Sequence, residues 1–444
     1  MSRPPAQPDA GEGDAEERPQ DAGLLADGTF LVAMVIAFVV ALGFGLVVPV
    51  LPLYARQFGV GLFAVTSVVS VFAGVRLVSN VYTGALTDRI GTRRAVGFGA
   101  LFVAGSSLLI AAAPSYWLLL LFRGVGGFGS ALFFNALLSM IVRLAGPERR
   151  GRAVGMLQGA FLGGIAFGPS VGGLLAEPLG LRWPFVIYAG FCAAAGVVAL
   201  VWLPRLEDAP AAPASPSLRD DAGHPPGDSA TSAQPGRRPG LRRTYETARE
   251  LCVDRAFLAA LVMMAASRWA ATGVRFSLVP LFGDEVVGAS ASVIGFALTL
   301  AALTHLAVLW PTGRMADSVG RRAVAAPAYF VFAVIALGLA SATSVPAFLV
   351  AMGLYGVGTG LTSVTPPAVV GDVTPPERTG VGIGVLNTAG DLGSVLGPLV
   401  SGALAQRLGY GWGFGASAAL LAVGGIFALR MRETLDRGDR PASA

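Results

Sequence analysis

The stretch that decides the fold is GMLQGAFLGGIAFGPSVGG, residues 155–173, which lies inside a long apolar run. Glycine costs about 1 kcal/mol relative to alanine in a helix interior, and proline about 3 kcal/mol, so this composition needs a reason. A membrane supplies one, because small residues at intervals of four let two helix backbones approach closely. The stretch therefore predicts a membrane helix that packs tightly on a neighbour, and its small residues and proline are Gly155, Gly164, Gly168, Pro169, Gly172 and Gly173.

The same pattern returns 229 residues later in the chain. One ungapped offset also aligns two arginine-rich segments, 84–93 with 313–322 and 147–151 with 376–380. Three motifs aligned by one shift indicate a tandem duplication whose halves run in the same direction. The second copy of the glycine pattern, which has Ser401 in place of one glycine, consists of Gly384, Gly393, Gly397, Pro398 and Gly402.

The composition indicates an integral membrane protein. The 444 residues are 54% hydrophobic and 13% charged, whereas soluble domains carry about 25% charged residues. No lysine occurs, so a P-loop lysine is excluded and we expect no bound cofactor. Cys192 and Cys252 fit no metal or disulfide spacing. The net charge of +5 is assigned to membrane topology rather than to nucleic acid.

Apolar runs of about 20 residues predict twelve transmembrane helices, six in each half. The predicted fold class is an all-α membrane protein of two six-helix bundles, related by a parallel internal repeat. The N-terminal bundle is expected at 29–205 and the C-terminal bundle at 251–431. Segments rich in Pro, Ala, Ser and charged residues predict a disordered tail at 1–28, a flexible linker at 206–250 and a second tail at 432–444.

Arginines in the loops predict the orientation. About 25 of them lie on the side that holds both tails and the linker, called here the arginine-rich side. The opposite, arginine-poor side holds Arg56, Arg182 and Arg407. The positive-inside rule then places both termini and the linker in the cytoplasm of a multi-pass cell-membrane protein.

Two arginine-rich loops carry a more specific signal. The loop after span 2, GALTDRIGTRR, contains Gly84, Asp88, Arg89, Gly91, Arg93 and Arg94, and its repeat, GRMADSVGRR, contains Gly313, Asp317, Gly320 and Arg322. This spacing resembles the signature loop of the major facilitator superfamily. Span 4 adds LFRGVGG, which resembles the second motif of that superfamily, and the opening glycine stretch resembles the antiporter motif of its drug:proton antiporter branch.

The resemblance implies two bundles related by an axis along the membrane normal, with substrate bound near the midplane and alternating access. Spans 1, 4, 7 and 10 would line the cavity, and spans 2, 5, 8 and 11, with the glycine motif, would form the contacts between the bundles. Asp88 would gate by docking on the start of span 11. The second half departs from the pattern, with Ser318 at the place of Arg89 and Met352 at the place of Arg123.

Five charged residues fall in the middle of predicted spans, where each costs about 2.5–3.5 kcal/mol and needs a partner or an aqueous cavity. Asp391 is the one acid, and Asn387 shares its helix face one turn earlier. Arg268 and Arg275 are seven residues apart and are predicted to share a face toward the cavity. The remaining two are Arg76 and Arg123.

We expect Asp391 to pair with Arg76 across the two bundles, with Arg268 as the rival partner. In one hypothesis Asp391 is a protonation site, and protonation releases its arginine and lets the bundles separate. In the other, the ion pair is permanent and structural.

The sequence predicts a secondary transporter rather than an enzyme. The leading interpretation is a monomer that exports a small organic, amphiphilic compound in exchange for protons. Span 1 carries no acid, and the predicted spans contain four interior arginines but one interior aspartate. A proton symporter or exchanger for an organic anion is therefore the alternative. A membrane receptor or scaffold without transport is a third interpretation.

Overall fold

The computed structural model describes residues 28–204, 246, 249–375 and 378–435. The predicted tails and linker fall almost wholly outside these residues. The described chain is helical, with no strand assigned to it.

Twelve helices of the described chain are long and apolar enough to cross a membrane, which confirms the predicted number. They are numbered in chain order. The first six are α1 Gly28–Arg56, α2 Leu62–Ile90, α3 Thr92–Ala111, α4 Tyr116–Gly146, α5 Arg149–Leu179 and α6 Trp183–Trp202. The second six are α7 Arg255–Glu285, α8 Ala291–Ser318, α9 Arg321–Ser341, α10 Val345–Val373, α11 Thr379–Leu408 and α12 Tyr410–Arg430.

The internal repeat is visible in the backbone. Gly91 separates α2 from α3 with φ +85°, and Gly320 separates α8 from α9 with φ +127°. Residues with a side chain rarely adopt this left-handed conformation, so glycine lets the chain reverse within one residue after α2 and within two residues after α8. Gly180 and Gly409, also related by the offset of 229, both have φ +94°.

The two bundles are built from equivalent helix pairs. Gly127 of α4 lies so close to α2 that a Cβ on it would be 2.6 Å from the carbonyl oxygen of Phe72. The repeat-related residues make the same contact, because Gly356 of α10 packs on the carbonyl group of Ala301 in α8. The predicted duplication therefore holds at the level of single contacts.

The bundles meet along two antiparallel helix pairs, α2 with α11 and α5 with α8. Ser70 donates from Oγ to the Val395 carbonyl at 2.7 Å. The Ser170 amide donates to Thr299 Oγ1 at 3.0 Å. These contacts lie in the arginine-poor halves of the helices. They confirm that α2, α5, α8 and α11 connect the bundles.

The arginine-rich halves of the same helices stand apart. A Cβ built on Gly84 of α2 or Gly384 of α11 would meet nothing within 4 Å in the described chain. The same is true of Gly155 in α5 and Gly313 in α8. The gap between the bundles is therefore closed on the arginine-poor side and open on the arginine-rich side.

Candidate functional site

Asp391 lies in α11 close to the point where this helix leaves α2. Gly402 of α11 packs directly on Thr66 of α2. Residues of antiparallel helices advance by 1.5 Å each in opposite directions. Arg76, ten residues beyond Thr66, is therefore level with Asp391, eleven residues before Gly402. The structure places the two predicted partners at the same depth, just beyond the last contacts between these helices.

Arg268 of α7 reaches the same place from within the C-terminal bundle. Its stem packs on α11, since a Cβ on Gly390 would lie 3.0 Å from Arg268 Cγ. The exposed guanidinium is within electrostatic range of both Arg76 and Asp391. Three charged side chains thus gather at the apex of the open gap.

No ion pair within 4.0 Å joins Asp391 to an arginine in the described chain in this conformation. Which arginine pairs with Asp391 stays a prediction. Asn387 is exposed one turn earlier on α11, on the face expected from its spacing.

Arg275 does not share the face of Arg268, so that prediction was wrong. Residues Ala270–Leu278 form a π-helix, whose wider turns rotate later residues away from the positions that a regular α-helix would give them. Arg275 is 5% exposed and donates from Nη2 to the Leu298 carbonyl of α8 at 3.1 Å. The Tyr355 hydroxyl donates to the Ala270 carbonyl at 2.8 Å at the start of the π-helix.

Arg123 is buried inside the N-terminal bundle, although a cavity position was expected for it. Its side chain is 6% exposed, and its guanidinium carbon lies 4.2 Å from the centroid of the Phe72 ring. Its Nε has no hydrogen-bond partner among the described residues. A cation–π contact of this kind contributes about 2 kcal/mol when desolvated. In this conformation Arg123 does not face the open gap, so a contact with substrate stays a prediction.

The glycine motif packs mainly within its own bundle, which corrects the expectation that it lies between bundles. A Cβ on Gly168 would be 2.5 Å from Gly45 Cα in α1, and one on Gly397 would be 3.1 Å from Trp269 Cα in α7. The motif glycines spaced four apart share one helix face, and this face meets α1 or α7. Gly164 and Gly172 also contact α1, and Gly393 contacts α7. Two members, Gly173 and Gly402, contact the other bundle instead.

The second arginine-rich loop is held within its own bundle. Asp317 pairs with Arg321, whose Nε also lies 3.1 Å from Asp372 Oδ2 at the end of α10. The Glu433 carboxylate, beyond α12, accepts the Arg321 amide at 2.7 Å and the Arg322 amide at 3.1 Å. It therefore caps the positive N-terminal end of α9.

The first loop has different residues at the matching positions. Thr92 stands at the place of Arg321, and Arg143 at the place of Asp372. Asp88 is exposed at the end of α2, and Arg93 donates to the Leu200 carbonyl of α6. The predicted docking of Asp88 on α11 belongs to a conformation closed on this side, so it stays a prediction.

The sequence interpretation missed a set of contacts that closes the arginine-poor side. Arg56 Nε lies 2.9 Å from Glu285 Oε1, and Tyr410 donates to Glu285 Oε2 at 2.7 Å. Arg56 and Glu285 are separated by the repeat offset of 229, so their contact lies on the pseudo-twofold axis between the bundles. The signal in the sequence was the opposite charge of these two repeat-related residues, which both lie at arginine-poor helix ends.

His305 of α8 is another polar residue that the interpretation did not place in the site. It stands at the repeat position of Arg76, and its Nε2 lies 3.3 Å from Ser363 Oγ. Its Nδ1 is buried without a hydrogen-bond partner in the described chain.

Twelve membrane helices in two repeat-related bundles, with charges at the apex of a gap open to one side, define the architecture of an alternating-access carrier. Residues 33–290 and 264–444 each match the model of the Major Facilitator Superfamily. The chain belongs to this superfamily.

The chain spans less than half of the length of the curated relatives that it matches. Multidrug resistance protein 1 of Bacillus subtilis (strain 168) is 29% identical over 182 residues, which are 41% of this chain and 46% of that protein. Quinolone resistance protein NorA of Staphylococcus aureus (strain N315) is 26% identical over 164 residues, 37% of this chain and 41% of NorA. The predicted likeness to drug-resistance members of the superfamily is confirmed.

Solved structures show the same fold. A bacterial homologue of the human lysosomal transporter Spinster, inward-facing and occupied, has a TM-score of 0.70 at 13% identity, covering 90% of this chain and 95% of its own. The inward-facing, unoccupied form of that homologue has a TM-score of 0.67 at 15% identity, with the same coverage.

Proposed function

We propose that this protein is a secondary transporter that exports small organic, amphiphilic compounds in exchange for protons. The observation that carries the proposal is the position of Asp391. It lies level with Arg76 and beside the stem of Arg268, at the apex of the gap between the bundles. The names of the relatives, which are resistance proteins, support export of foreign compounds.

In the proposed mechanism Asp391 carries the proton. When ionised, it attracts the guanidiniums of Arg76 and Arg268 and draws α2 toward α11. When protonated, it loses this attraction, and the arginine-rich halves separate. With the arginine-rich side in the cytoplasm, the conformation described here is the inward-open one.

Closure of the cytoplasmic side uses the open glycines. Extending the antiparallel register from the existing contacts brings Gly84 opposite Gly384, and Gly155 opposite Gly313. Paired glycines allow two helix backbones to approach closely. The loops and glycine motifs at these helix ends would thus form the cytoplasmic gate, with Asp88 docked at the start of α11.

Proton movement in proteoliposomes tests this function. Vesicles loaded with the pH indicator pyranine receive a lipophilic cation, tetraphenylphosphonium, outside. Exchange for protons raises the internal pH, and we expect Asp391→Asn to abolish the rise while the folded yield is unchanged. Glu177→Gln, which removes an exposed acid at the arginine-poor end of α5, serves as the matched control. A normal pH rise in the Asp391→Asn protein contradicts the proposal.

The surplus of interior arginines favours a second candidate, a proton symporter or exchanger for an organic anion. The same vesicles distinguish it, because symport of 2-naphthalenesulfonate with protons lowers the internal pH. A fall in internal pH with the anion, and no change with the cation, would replace the leading proposal.

A further inference from the structure

The lateral opening between α5 and α8 carries an exposed arginine that lies over a tryptophan ring. Arg314 Cζ is 3.6 Å from the centroid of the Trp310 ring, one turn earlier on α8. Trp310 is 65% exposed, and Arg314 is exposed beside it. Arg314 makes no ion pair with an acid of the described chain. The ring covers one face of the guanidinium, so the N–H groups at its edge are left to donate to another group.

Both side chains lie on the face of α8 that meets lipid. Phe296 is in the arginine-poor half of α8, where α8 packs on α5, and it is 51% exposed, so its face is turned to lipid. Arg314 follows Phe296 by 18 residues, which are five full helical turns, so the two share a face. Arg314 is also four residues, about 6 Å, from the end of α8 at Ser318. It therefore lies at the level of the lipid headgroups.

Arg152 of α5 lies on the other side of the same opening. It precedes Ser170 by 18 residues, again five full turns, and the Ser170 amide donates to Thr299 Oγ1 of α8 at 3.0 Å. Arg152 is therefore on the side of α5 that faces α8, and it is exposed. In the antiparallel register set by this contact, Arg152 is three residues, about 4.5 Å, beyond Arg314. Two arginines thus flank the opening at one membrane surface.

The repeat-related opening between α2 and α11 lacks these charges. The positions that correspond to the tryptophan and the two arginines are occupied by Val81, Ala85 and Val381. The arginine pair is therefore not part of the gate that the two halves share, and it calls for a role at the α5–α8 opening alone.

We propose that this opening binds the headgroup of an anionic phospholipid, with the phosphate on the guanidiniums of Arg314 and Arg152. A guanidinium edge gives a phosphate two parallel hydrogen bonds. Asp317, the one acid of α8, is paired with Arg321. Because Arg314 has no carboxylate partner in the described chain, a headgroup of net negative charge is favoured over one whose phosphate is already accompanied by choline.

A headgroup at this place would hold the arginine-rich side open. Gly155 and Gly313 have nothing within 4 Å of an added Cβ in the described chain, and they are the residues that meet when this side closes. A phosphate held between the two arginines, about one turn or less nearer the membrane surface, keeps these glycines apart. The inference goes beyond the proposed function, because the lipid acts on the balance of the two conformations without substrate or proton.

Quenching of Trp310 by brominated lipid measures occupancy of this site. The full chain is placed in phosphatidylcholine nanodiscs with an increasing fraction of phosphatidylglycerol brominated on its acyl chains or, in the matched series, of brominated phosphatidylcholine. The Trp310 signal is the difference between the wild-type protein and Trp310→Phe, since the chain has six tryptophans. We expect half-maximal quenching at an about fivefold lower fraction of the anionic lipid, the enrichment that attraction to one arginine gives.

Three variants separate the site from general surface charge. In Arg314→Gln the two lipids should quench equally, and in Arg152→Gln the preference should be reduced. Arg430→Gln, which removes an exposed charge from the arginine-rich end of α12, should keep the full preference. Unchanged quenching by phosphatidylcholine in each variant shows that Trp310 still faces lipid, so a lost preference is not a sign of misfolding.

Spin labels at Gly151→Cys and Ser318→Cys, two exposed helix ends, report the width of the opening. At constant pH, phosphatidylglycerol should raise the population with the longer distance, and Arg314→Gln should remove this effect. The same distance distribution in both lipids would overturn the effect on the opening.

Equal quenching of the wild-type protein by the two lipids overturns the inference. So does a preference that Arg314→Gln keeps. Loss of the preference on adding soluble glycerol phosphate would assign the site to a free phosphate and overturn the lipid assignment. The quenching needs neither substrate nor a proton gradient, so its failure is distinguishable from failure of the transport function.

Discussion

At the residue scale, single glycines set the distance between helices. Gly168 of α5 faces Gly45 of α1, and the absence of both side chains lets the two backbones touch. The cost of glycine in a helix is then offset by dispersion contacts along the helix pair, which in lipid replace the hydrophobic effect as the driving force. The requirement is local, because Gly159 on the same helix meets nothing within 4 Å of an added Cβ.

This contrast gives a stability prediction. In Gly168→Ala the new Cβ would lie 2.5 Å from Gly45 Cα, and overpacking of this kind costs about 1–3 kcal/mol. In the control Gly159→Ala the new methyl group has space, and helix propensity gains up to about 1 kcal/mol. Thermal unfolding in detergent should show a lower midpoint for the first variant and an equal or higher midpoint for the second. Equal losses in both would contradict the packing account.

Sequence periodicity predicts some side-chain positions and misses others. The depth of Asp391 and the exposure of Asn387 follow from regular helical spacing. The separation of Arg268 from Arg275 does not, because the π-helix at Ala270–Leu278 leaves no pattern in composition. The predicted ion pair of Asp391 depends on the distance between the two bundles. The spacing of residues within one helix gives no information on that distance.

At the element scale, the helix count and the repeat follow from apolar length and the 229-residue offset. These features do not predict which helix packs against each helix face. The glycine face of α5 was expected against the other bundle and packs on α1, because a face made by spacing does not specify which helix covers it. The Arg56–Glu285 contact joins α1 to α7 across the axis and holds the arginine-poor ends together.

Weakening this contact should favour opening of the arginine-poor side. Partly exposed ion pairs contribute about 0.2–1 kcal/mol, so Glu285→Gln should raise the open population up to about fivefold. The reporter is Thr299→Cys, a 5% exposed position between α5 and α8, with Cys192 and Cys252 replaced by serine. Maleimide labelling from the arginine-poor side should accelerate in Glu285→Gln.

The exchanged pair Arg56→Glu with Glu285→Arg should restore the slow labelling. Glu177→Gln, on the same side of the membrane, should leave it unchanged. An unchanged labelling rate in Glu285→Gln would show that the contact does not hold this side closed.

At the scale of the whole molecule, the open arginine-rich side and the closed arginine-poor side define one of two conformations of a symmetric carrier. The central claim is that ionised Asp391 draws α2 and α11 together on the arginine-rich side. The sequence predicts the bundles and their symmetry. It does not predict the conformation, because small residues occur in both halves of the α2–α11 contact.

Distances between spin labels test this claim most directly. One label pair, Ala85→Cys with Gly380→Cys, reports the arginine-rich side, and the other, Phe63→Cys with Arg407→Cys, reports the arginine-poor side. At pH 8 we predict that Asp391→Asn, which removes the charge of this side chain, lengthens the first distance and shortens the second relative to the wild-type protein. Equal distances in the Asp391→Asn and wild-type proteins, or a shorter first distance in the variant, would contradict the account.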